Sequence, residues 1–440
     1  MQYLPQLIFL AALGFAVWFF AKNVKKLRRN ILLGKDIDRK DNKSTRLNKM
    51  IRVALGQSKM VTRPIAGILH ILVYVGFVII NIEVLEIIID GILGTHRIFS
   101  FLGPVYSFLI GSFEILALLV LVSVIFFWTR RNISNIQRFK TLKGWPKNDA
   151  NNILYFEVIL MCLFFTMNAT DLQLQLNGAE HYSRAGAFPV SQFLLPLFDG
   201  MSNSTLIIVE RVAWWAHILG IFFFLNYLYY SKHLHILLAF PNVYFSNLKP
   251  YGQFGHNETV AKEVQMMMDP EADPYAMPEE SEAEGEPEKF GASDVTDLNW
   301  FQLLSAYTCT ECGRCTSECP ANQTGKKLSP RKIMMDTRDR LEEVGKNIDQ
   351  NGEFKEDNNQ LLDNYITREE LWACTTCNAC VEACPVGIDP LSIIMEMRQY
   401  LVMEESAAPM ELNNAMGNIE NNAAPWPYNQ QDRLNWVNDN

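Results

Sequence analysis

Long apolar runs with few charges fill the chain up to about residue 245, and polar, acidic positions broken by Pro and Gly fill it from about 256 onward. A bilayer hydrocarbon core about 30 Å thick takes roughly 20 apolar residues as helix. Five stretches reach that length, about 3 to 21, 64 to 89, 104 to 128, 152 to 170 and 205 to 231, and they predict five membrane spans. No basic residue precedes the first, no small-residue cleavage pattern closes it, and KNVKKLRRN follows it directly. That is the pattern of a retained anchor, not of a cleaved signal peptide.

The polar half changes period. MMMDPEADPYAMPEESEAEGEPEKF carries too much acidic charge and proline to bury a core, so 246–297 reads as an acidic, disordered linker. Beyond it the pattern is helical. Ser329 stands as N-cap before Pro330, Thr367 and Glu370 form a capping box, and DPLSIIMEMRQYLVMEE is amphipathic. The expected fold is all-α, with a membrane domain over 1–245, a cysteine-bearing helical domain over 298–404 and a tail over 405–440.

Charge sets orientation and excludes one class of partner. Fourteen Lys and Arg lie in 22–63 and six in 129–150, against one each in 91–103 and 171–204. The positive-inside rule then places the N-terminus outside and everything after residue 231 in the cytoplasm, in an inner-membrane, multi-pass protein. A formal charge of −9, drawn largely from the polar half, argues against nucleic acid as a partner.

Eight of the nine cysteines fall between 309 and 384; Cys162, inside an apolar run, reads as a small core residue. CTECGRCTSECP supplies Cys309, Cys312, Cys315 and Cys319 before Pro320, and CTTCNACVEACP supplies Cys374, Cys377, Cys380 and Cys384 before Pro385. Both runs have the C-x2-C-x2-C-x3-C-P spacing of two-cluster ferredoxins, in which the fourth cysteine serves the other cluster. The expected ligand sets for two [4Fe–4S] clusters are Cys309, Cys312, Cys315 and Cys384 for one, and Cys374, Cys377, Cys380 and Cys319 for the other. Zinc shares CxxC spacing, but two identical four-cysteine runs each closed by Pro disfavour it. Reduced cytoplasmic thiols disfavour disulfides. Small residues such as Gly313, Thr316 and Ala379 leave amides free for cluster sulfur.

Ionisable residues inside membrane spans are functional candidates. His217 and His235 are 18 residues apart, which on one continuous helix would put them on one face about 27 Å apart. His70 lies at the depth where His235 would meet it, and two such imidazoles can ligate a b-type haem. The plain alternative is interfacial or carbonyl-bonded histidines, which is the reading for His233. Glu83, Glu86, Glu114, Glu210 and Arg211 share a depth in the outer half. They form either a structural ion-pair network around Arg211 or a proton path and quinone-facing site.

Residues 1 to 245, through the helix count, the topology and HILGIFFFLNYLYYSKHLH, resemble the five-helix cytochrome b subunit of membrane nitrate reductase and its heterodisulfide reductase relatives. In that family the second helix supplies two histidines about ten residues apart. Ile80 and Asn81 stand where the second should be, which leaves His217 without an implied haem partner. Residues from about 297 onward, through WACTTCNACVEACPVGIDP and GNIENNAAPWPYNQQDRLNWVND, resemble heterodisulfide reductase-related iron–sulfur proteins, a group that includes membrane ETF:quinone oxidoreductases. In many of these relatives that last phrase leads into two cysteine-rich CCG modules. A separate CCG-module subunit, or another cytoplasmic electron donor or acceptor, is therefore expected to dock near 405–440.

The resemblance implies an oxidoreductase subunit that carries electrons between that partner and a membrane quinone, through two [4Fe–4S] clusters and a b haem. No dinucleotide or flavin fingerprint appears in the chain, and QTGKK at 323 to 327 lacks phosphate-loop spacing. The competing reading is a haem-free, membrane-anchored ferredoxin scaffold or redox-sensing module.

Overall fold

The computed structural model describes residues 3–134, 136–250, 253, 258–269 and 289–438. It is all-α: no strand occurs among the described residues beyond isolated bridges. Five helices are long and apolar enough to cross a membrane: α1 (Leu4–Ile31), α2 (Pro64–Leu93), α3 (Pro104–Asn132), α4 (Trp145–Leu176) and α5 (Asn203–Tyr227). Pro sits in the first turn of α1 to α4, where a missing N–H costs nothing. The Ser202 hydroxyl caps α5 by accepting from Thr205 N–H. Arg28 and Arg29 close α1, and Arg130 and Arg131 close α3, which complements the negative end of each helix dipole.

Each long helix packs on two neighbours, α1 on α2, α2 on α3, α3 on α4, α4 on α5 and α5 back on α1, which closes a five-membered ring. Cys162 faces outward from α4 and is exposed, because the inward side of that helix is taken by Leu160, Met161 and Phe164. The fifth span is shorter than its apolar run. A 3-10 turn follows Tyr227, and Ser231 is extended (φ −117°, ψ 147°), so His235 begins a separate helix, α6 (His235–Tyr244). The one-face argument for His217 and His235 therefore fails.

The C-terminal domain contains α7 (Trp300–Thr308), α8 (Arg314–Ser317), α9 (Pro330–Asn351), α10 (Ala379–Ala383) and α11 (Pro390–Met403), followed by an exposed helix α12 (Met410–Asn422) in the tail. Its core is continuous with one end of the ring: Leu27, Ile153, Phe224, Leu228 and Leu234 belong to the same buried cluster as Leu303, Ile333, Leu341 and Ile394. The basic run after the first span is part of this contact. Lys26 and Arg29 pair with Asp349 on α9, each at 2.5 Å, and Asn30 bonds the Tyr307 hydroxyl at 3.0 Å. Lys35 then pairs by backbone with the segment before α7, Lys35 N–H to Leu298 O at 2.8 Å. Gly34 is needed there, since a Cβ would lie 2.7 Å from that backbone.

About half of the expected acidic linker, 270–288 above all, lies outside the described residues, and two of the described pieces depart from the expectation of disorder. Glu258–Met268 is helical. Residues 289–297 are built into the C-terminal domain: Ala292 and Val295 are fully buried, and the fully buried Arg340 side chain pairs with Asp294 (2.8 Å) and Asp357 (2.7 Å). The boundary falls early because a buried guanidinium needs carboxylate partners, and Asp294 supplies one.

Candidate metal centre and its junction with the bundle

The two cysteine runs have the same backbone. In the first, Glu311 (φ 55°) and Gly313 (φ 71°) are left-handed; in the second, Thr376 (φ 56°) and Asn378 (φ 60°) are left-handed at the matching positions. Each run then enters a short helix, α8 or α10, and these two helices pack together. Left-handed residues alternating with cysteines turn successive N–H groups toward one concavity, a nest suited to an anionic group. Gly313 has a second reason to be glycine, since a Cβ would lie 2.9 Å from the Arg331 guanidinium.

The thiols of the two runs lie near one another: Cys315 interacts electrostatically with Cys309, Cys312, Cys384 and Cys380, and Cys380 with Cys374, Cys319 and Cys377. Burial pushes the Cys309 thiol up to about 12, against a backbone N–H from Glu311 and with help from the neighbouring Cys312, and a bound metal would favour the thiolate. Thr376 N–H points at Cys374 Sγ at 3.4 Å, the kind of bond that raises a cluster's potential. A zinc ion with bonds of about 2.3 Å would gather four sulfurs within about 4 Å of one another. Among the described residues no three His, Cys, Asp or Glu side chains converge on one ion.

The first run is clamped to the bundle. Buried Glu311, between Cys309 and Cys312, pairs with Lys232 and with Arg338 at 2.8 Å. Burial alone would push its carboxyl up, but the two cations hold it below the usual range. Lys232 lies in the turn before α6 and also donates its N–H to Asp149 Oδ2 at 3.1 Å. Arg63 reaches Glu318 at 2.7 Å, Arg314 reaches Lys59 O at 3.4 Å, and Arg331 reaches Arg138 O at 2.8 Å. Arg138 Nε and Nη1 are buried with no protein partner, and Cys312 is among the charges that guanidinium feels. None of these junction residues stood out in the sequence; only the density of basic residues in 22–63 and 129–150 marked the segments.

His70 and His235 meet. Their ring centroids are 6.4 Å apart. Two imidazoles on opposite sides of one iron, at bonds of about 2.0 Å, place their centroids about 6 Å apart, so the separation fits a bis-histidine haem. His235 Nδ1 donates to Lys232 O at 3.0 Å, which leaves Nε2 for a metal. His233 lies beside His235 at 5.5 Å, edge to face. His217 is buried in the ring with Nδ1 on Leu160 O at 3.0 Å, and no other described histidine ring stacks near it.

At the far end of the ring the most deeply buried cation is Arg97, not Arg211. Arg97 bonds Asp171 (2.5 Å), Asn168 (2.9 Å) and the Tyr106 hydroxyl (3.1 Å). Glu86 accepts from Phe99 N–H and Tyr106, and Glu114 accepts from Val190 N–H, Ser191 N–H and the Ser191 hydroxyl, so both anchor loops that dip into the ring. Arg211 pairs with its neighbour Glu210 and lies over the Trp214 ring, with 40% of its side chain exposed. Glu83 differs from the other buried glutamates in its partners: its cation is Arg97 at 4.0 Å, and its Oε2 has no hydrogen bond among the described residues.

Residues 308–388 are a 4Fe-4S dicluster domain. The chain's homologues are iron–sulfur oxidoreductases. It is 28% identical to the probable iron-sulfur-binding oxidoreductase FadF of Bacillus subtilis, over 98% of this chain and 60% of that protein. It is 26% identical to the EtfAB:quinone oxidoreductase of Syntrophomonas wolfei, over 99% of this chain and 59% of that protein. Around the dicluster domain it is 34% identical to one subunit of a ferredoxin/F(420)H(2)-dependent CoB-CoM heterodisulfide reductase of Methanosarcina acetivorans, over 24% of this chain and 52% of that protein. The chain thus spans about three fifths of the length of the first two relatives. No solved structure matches it. The dicluster domain, its oxidoreductase homologues and the five membrane-length helices make this an iron–sulfur electron-transfer protein of the membrane.

Proposed function

We propose that the chain is the membrane subunit of a quinone-linked oxidoreductase, exchanging electrons between a cytoplasmic partner and membrane quinone. The observation that carries this reading is the shared core of dicluster domain and helix ring at the end where His70 and His235 meet. When bound, two [4Fe–4S] clusters and a b haem supply the one-electron carriers. Cys309, Cys312, Cys315 and Cys384 hold the cluster next to the bundle; Cys374, Cys377, Cys380 and Cys319 hold the other. His70 and His235 hold the haem, and His217, with no facing histidine, holds none.

In this reading the dicluster domain lies in the cytoplasm and the N-terminus outside, at the inner membrane, which the basic segments 22–63 and 129–150 support. The partner is a CCG-module subunit or an electron-transfer flavoprotein, in keeping with the quinone oxidoreductase named among the relatives. It docks at 405–440, where Met410, Leu434 and Trp436 are exposed. Of the outer acidic residues, Glu86, Glu114 and Glu210 are committed to loops or to Arg211. Glu83 alone keeps the free carboxylate oxygen that a proton path or quinone-facing role requires, and unchanged quinone turnover in Glu83→Gln removes it from that role.

The test is a reduced-minus-oxidised visible spectrum with iron and acid-labile sulfide analysis of one sample. About eight cluster irons per chain with a sharp b-type band, lost in His70→Ala and in His235→Ala, are expected. Eight irons without the band leave a haem-free relay or an anchored scaffold.

A further inference from the structure

Between the first two spans the chain lays a helix on the dicluster end of the bundle and leaves part of it uncovered. The helix runs over Lys43–Met50 and continues without a break as one wider π turn, Ile51–Leu55. One side is spent on the protein. Buried Arg46 bonds Asp41 and the backbone oxygens of Tyr244 and Ser246, and Val53 and Ala54 pack with Val243 of α6 and with Val386. A second side carries Leu47, Ile51 and Leu55, four residues apart in one row and 47%, 47% and 53% exposed. A third is polar, with Asn48 and Arg52 exposed.

Position ties the apolar row to the membrane surface. The turn after the helix folds back against α2: a Cβ on Gly67 would lie 2.7 Å from Met60 O and 3.0 Å from Val61 Cα. Gly67 is in the first turn of the span, about 5 Å below its start, so Met60 and Val61 lie where that span enters the bilayer. Exposed Val61, Ile65 and Ile68 carry the apolar surface from the turn onto the outside of α2. Arg314 of α8 holds the same turn from the dicluster domain, reaching Lys59 O at 3.4 Å and Met60 Sδ at 3.1 Å.

Charge says which lipid. Residues 43–63 hold six Lys and Arg and no Asp or Glu. Arg46 and Arg63 are matched from outside this stretch by Asp41 and Glu318. Lys49, Arg52 and Lys59 lie close enough to feel one another. Burial, followed by the charges of Lys59, Arg46, Arg39 and Arg52, pushes the Lys49 ammonium down to about 8. An anion at this place relieves that repulsion. Apolar contact and attraction to anionic headgroups add in holding a basic amphipathic helix at an interface.

We propose that this helix lies in the leaflet surface on the dicluster side and binds an anionic phospholipid, its acyl chains along Leu47, Ile51 and Leu55 and its phosphate beside Arg52 and Lys59. A soluble protein is the rival occupant. Lipid is favoured because the row adjoins the outside of α2, so a protein seated on it would have to share that edge with the bilayer.

The test titrates the full chain, purified in dodecyl maltoside and washed free of lipid, with phosphatidylglycerol and in parallel with phosphatidylcholine. Bound lipid per chain is counted by native mass spectrometry. A saturable phosphatidylglycerol site is expected, about thirtyfold tighter than for phosphatidylcholine, the worth of two basic residues at an anionic surface. Arg52→Gln combined with Lys59→Gln should remove that preference. Ile51→Ser should weaken phosphatidylglycerol about tenfold by loss of apolar contact. Lys346→Gln combined with Lys355→Gln, both exposed on the dicluster domain, should change nothing. Iron content at the wild-type level shows that each variant is folded; if the Arg52 and Lys59 pair loses iron, Ile51→Ser decides. Equal affinity for the two lipids, undiminished binding in the folded variants, or an equal loss in the Lys346 and Lys355 pair overturns the proposal. So does displacement by inorganic phosphate beyond that by chloride of equal ionic strength, which would mean an anion site without the apolar row. No saturable site on the wild type also overturns it and gives the row to a soluble partner.

Discussion

The two cysteine runs share their spacing, their left-handed positions and their short helices, yet they sit in different electrical surroundings: several cations gather at the first, and Arg398 is the cation beside Cys374 in the second. The first is covered by the bundle, with Glu311, Gly313 and Arg314 buried and Arg63, Arg138, Lys232 and Arg338 gathered around it. The second is open, with Cys377 exposed. Near it, Asp336 and Glu370 share Lys332, and Cys380 feels Asp389. Ligand spacing fixes what each run can bind; the surface that covers it fixes how easily the bound group takes an electron. Positive charge favours the reduced, more negative state, so the run against the bundle should have the higher potential and the open run should face the partner.

The comparison breaks most completely by removing ligands, and the exchange of fourth cysteines between runs is the part to test. Cys384→Ala should cost the same cluster as Cys309→Ala, although Cys384 lies in the second run, and Cys319→Ala should match Cys374→Ala. Iron should fall from about eight to about four per chain in each, with the lost spectral component identified by paramagnetic resonance. If Cys384→Ala instead matches Cys374→Ala, each run binds its own cluster.

Next in size is the clamp on the first run. Lys232→Met leaves buried Glu311 with Arg338 alone, and removing one partner from a buried pair typically costs about 3–5 kcal/mol. The expected result is a lowered thermal midpoint together with proteolytic release of the dicluster domain from the membrane fraction. Lys232→Met combined with Glu311→Leu should recover part of the loss, because the buried carboxylate is gone and Arg338 keeps Asp339 at 3.0 Å. The corresponding change near the second run, Lys332→Met, touches a lysine with 43% of its side chain exposed and should cost much less.

Much of this architecture was legible in the sequence. Five apolar runs predict five helices because a bilayer imposes their length, and two cysteine runs predict two metal sites because ligand spacing is local. His70 and His235 were paired by depth, and they do meet. The argument placing His235 on one face with His217 failed, because nothing in a hydrophobic run announces the extended Ser231 that ends α5. Arg97 and Asp171 carry no such signal, because one lies in a loop and the other near the end of a span, and only the tertiary fold brings the two together. Lys232 and Glu311 were illegible for the same reason, being 79 residues apart in the chain.

A smaller effect concerns potential. Arg138 is the cation near the first run whose Nε and Nη1 have no protein partner, so its charge is directed at whatever the thiols hold. Arg138→Gln should lower the reduction potential of the first cluster and leave the second unchanged, read by redox titration with paramagnetic resonance. Equal shifts in both would mean that Arg138 acts through the fold and not through its field.

The smallest effect is a pH dependence of opposite sign on the two sides. Beside the second run, burial pushes the Asp336 carboxyl up from 3.8 to about 6, against the opposing pull of Lys332. Between those values the folded chain binds a proton that the unfolded chain has released, so stability falls as pH rises from about 4 to about 6 and is flat above. Beside the first run, Glu311 is held below its usual range by Lys232 and Arg338. Its contribution is present above the unfolded value and is lost only as pH falls through the lower, folded one. Thermal midpoints measured across pH 5 to 7, a window of about two units spanning the Asp336 value, should decline in the wild type and hold level in Asp336→Asn. Glu311→Gln should instead lower the midpoint uniformly across that window, since its charge is already formed throughout. A matching decline in Asp336→Asn would mean that another group titrates beside the second run, and a uniform drop in both variants would erase the electrical difference between the runs.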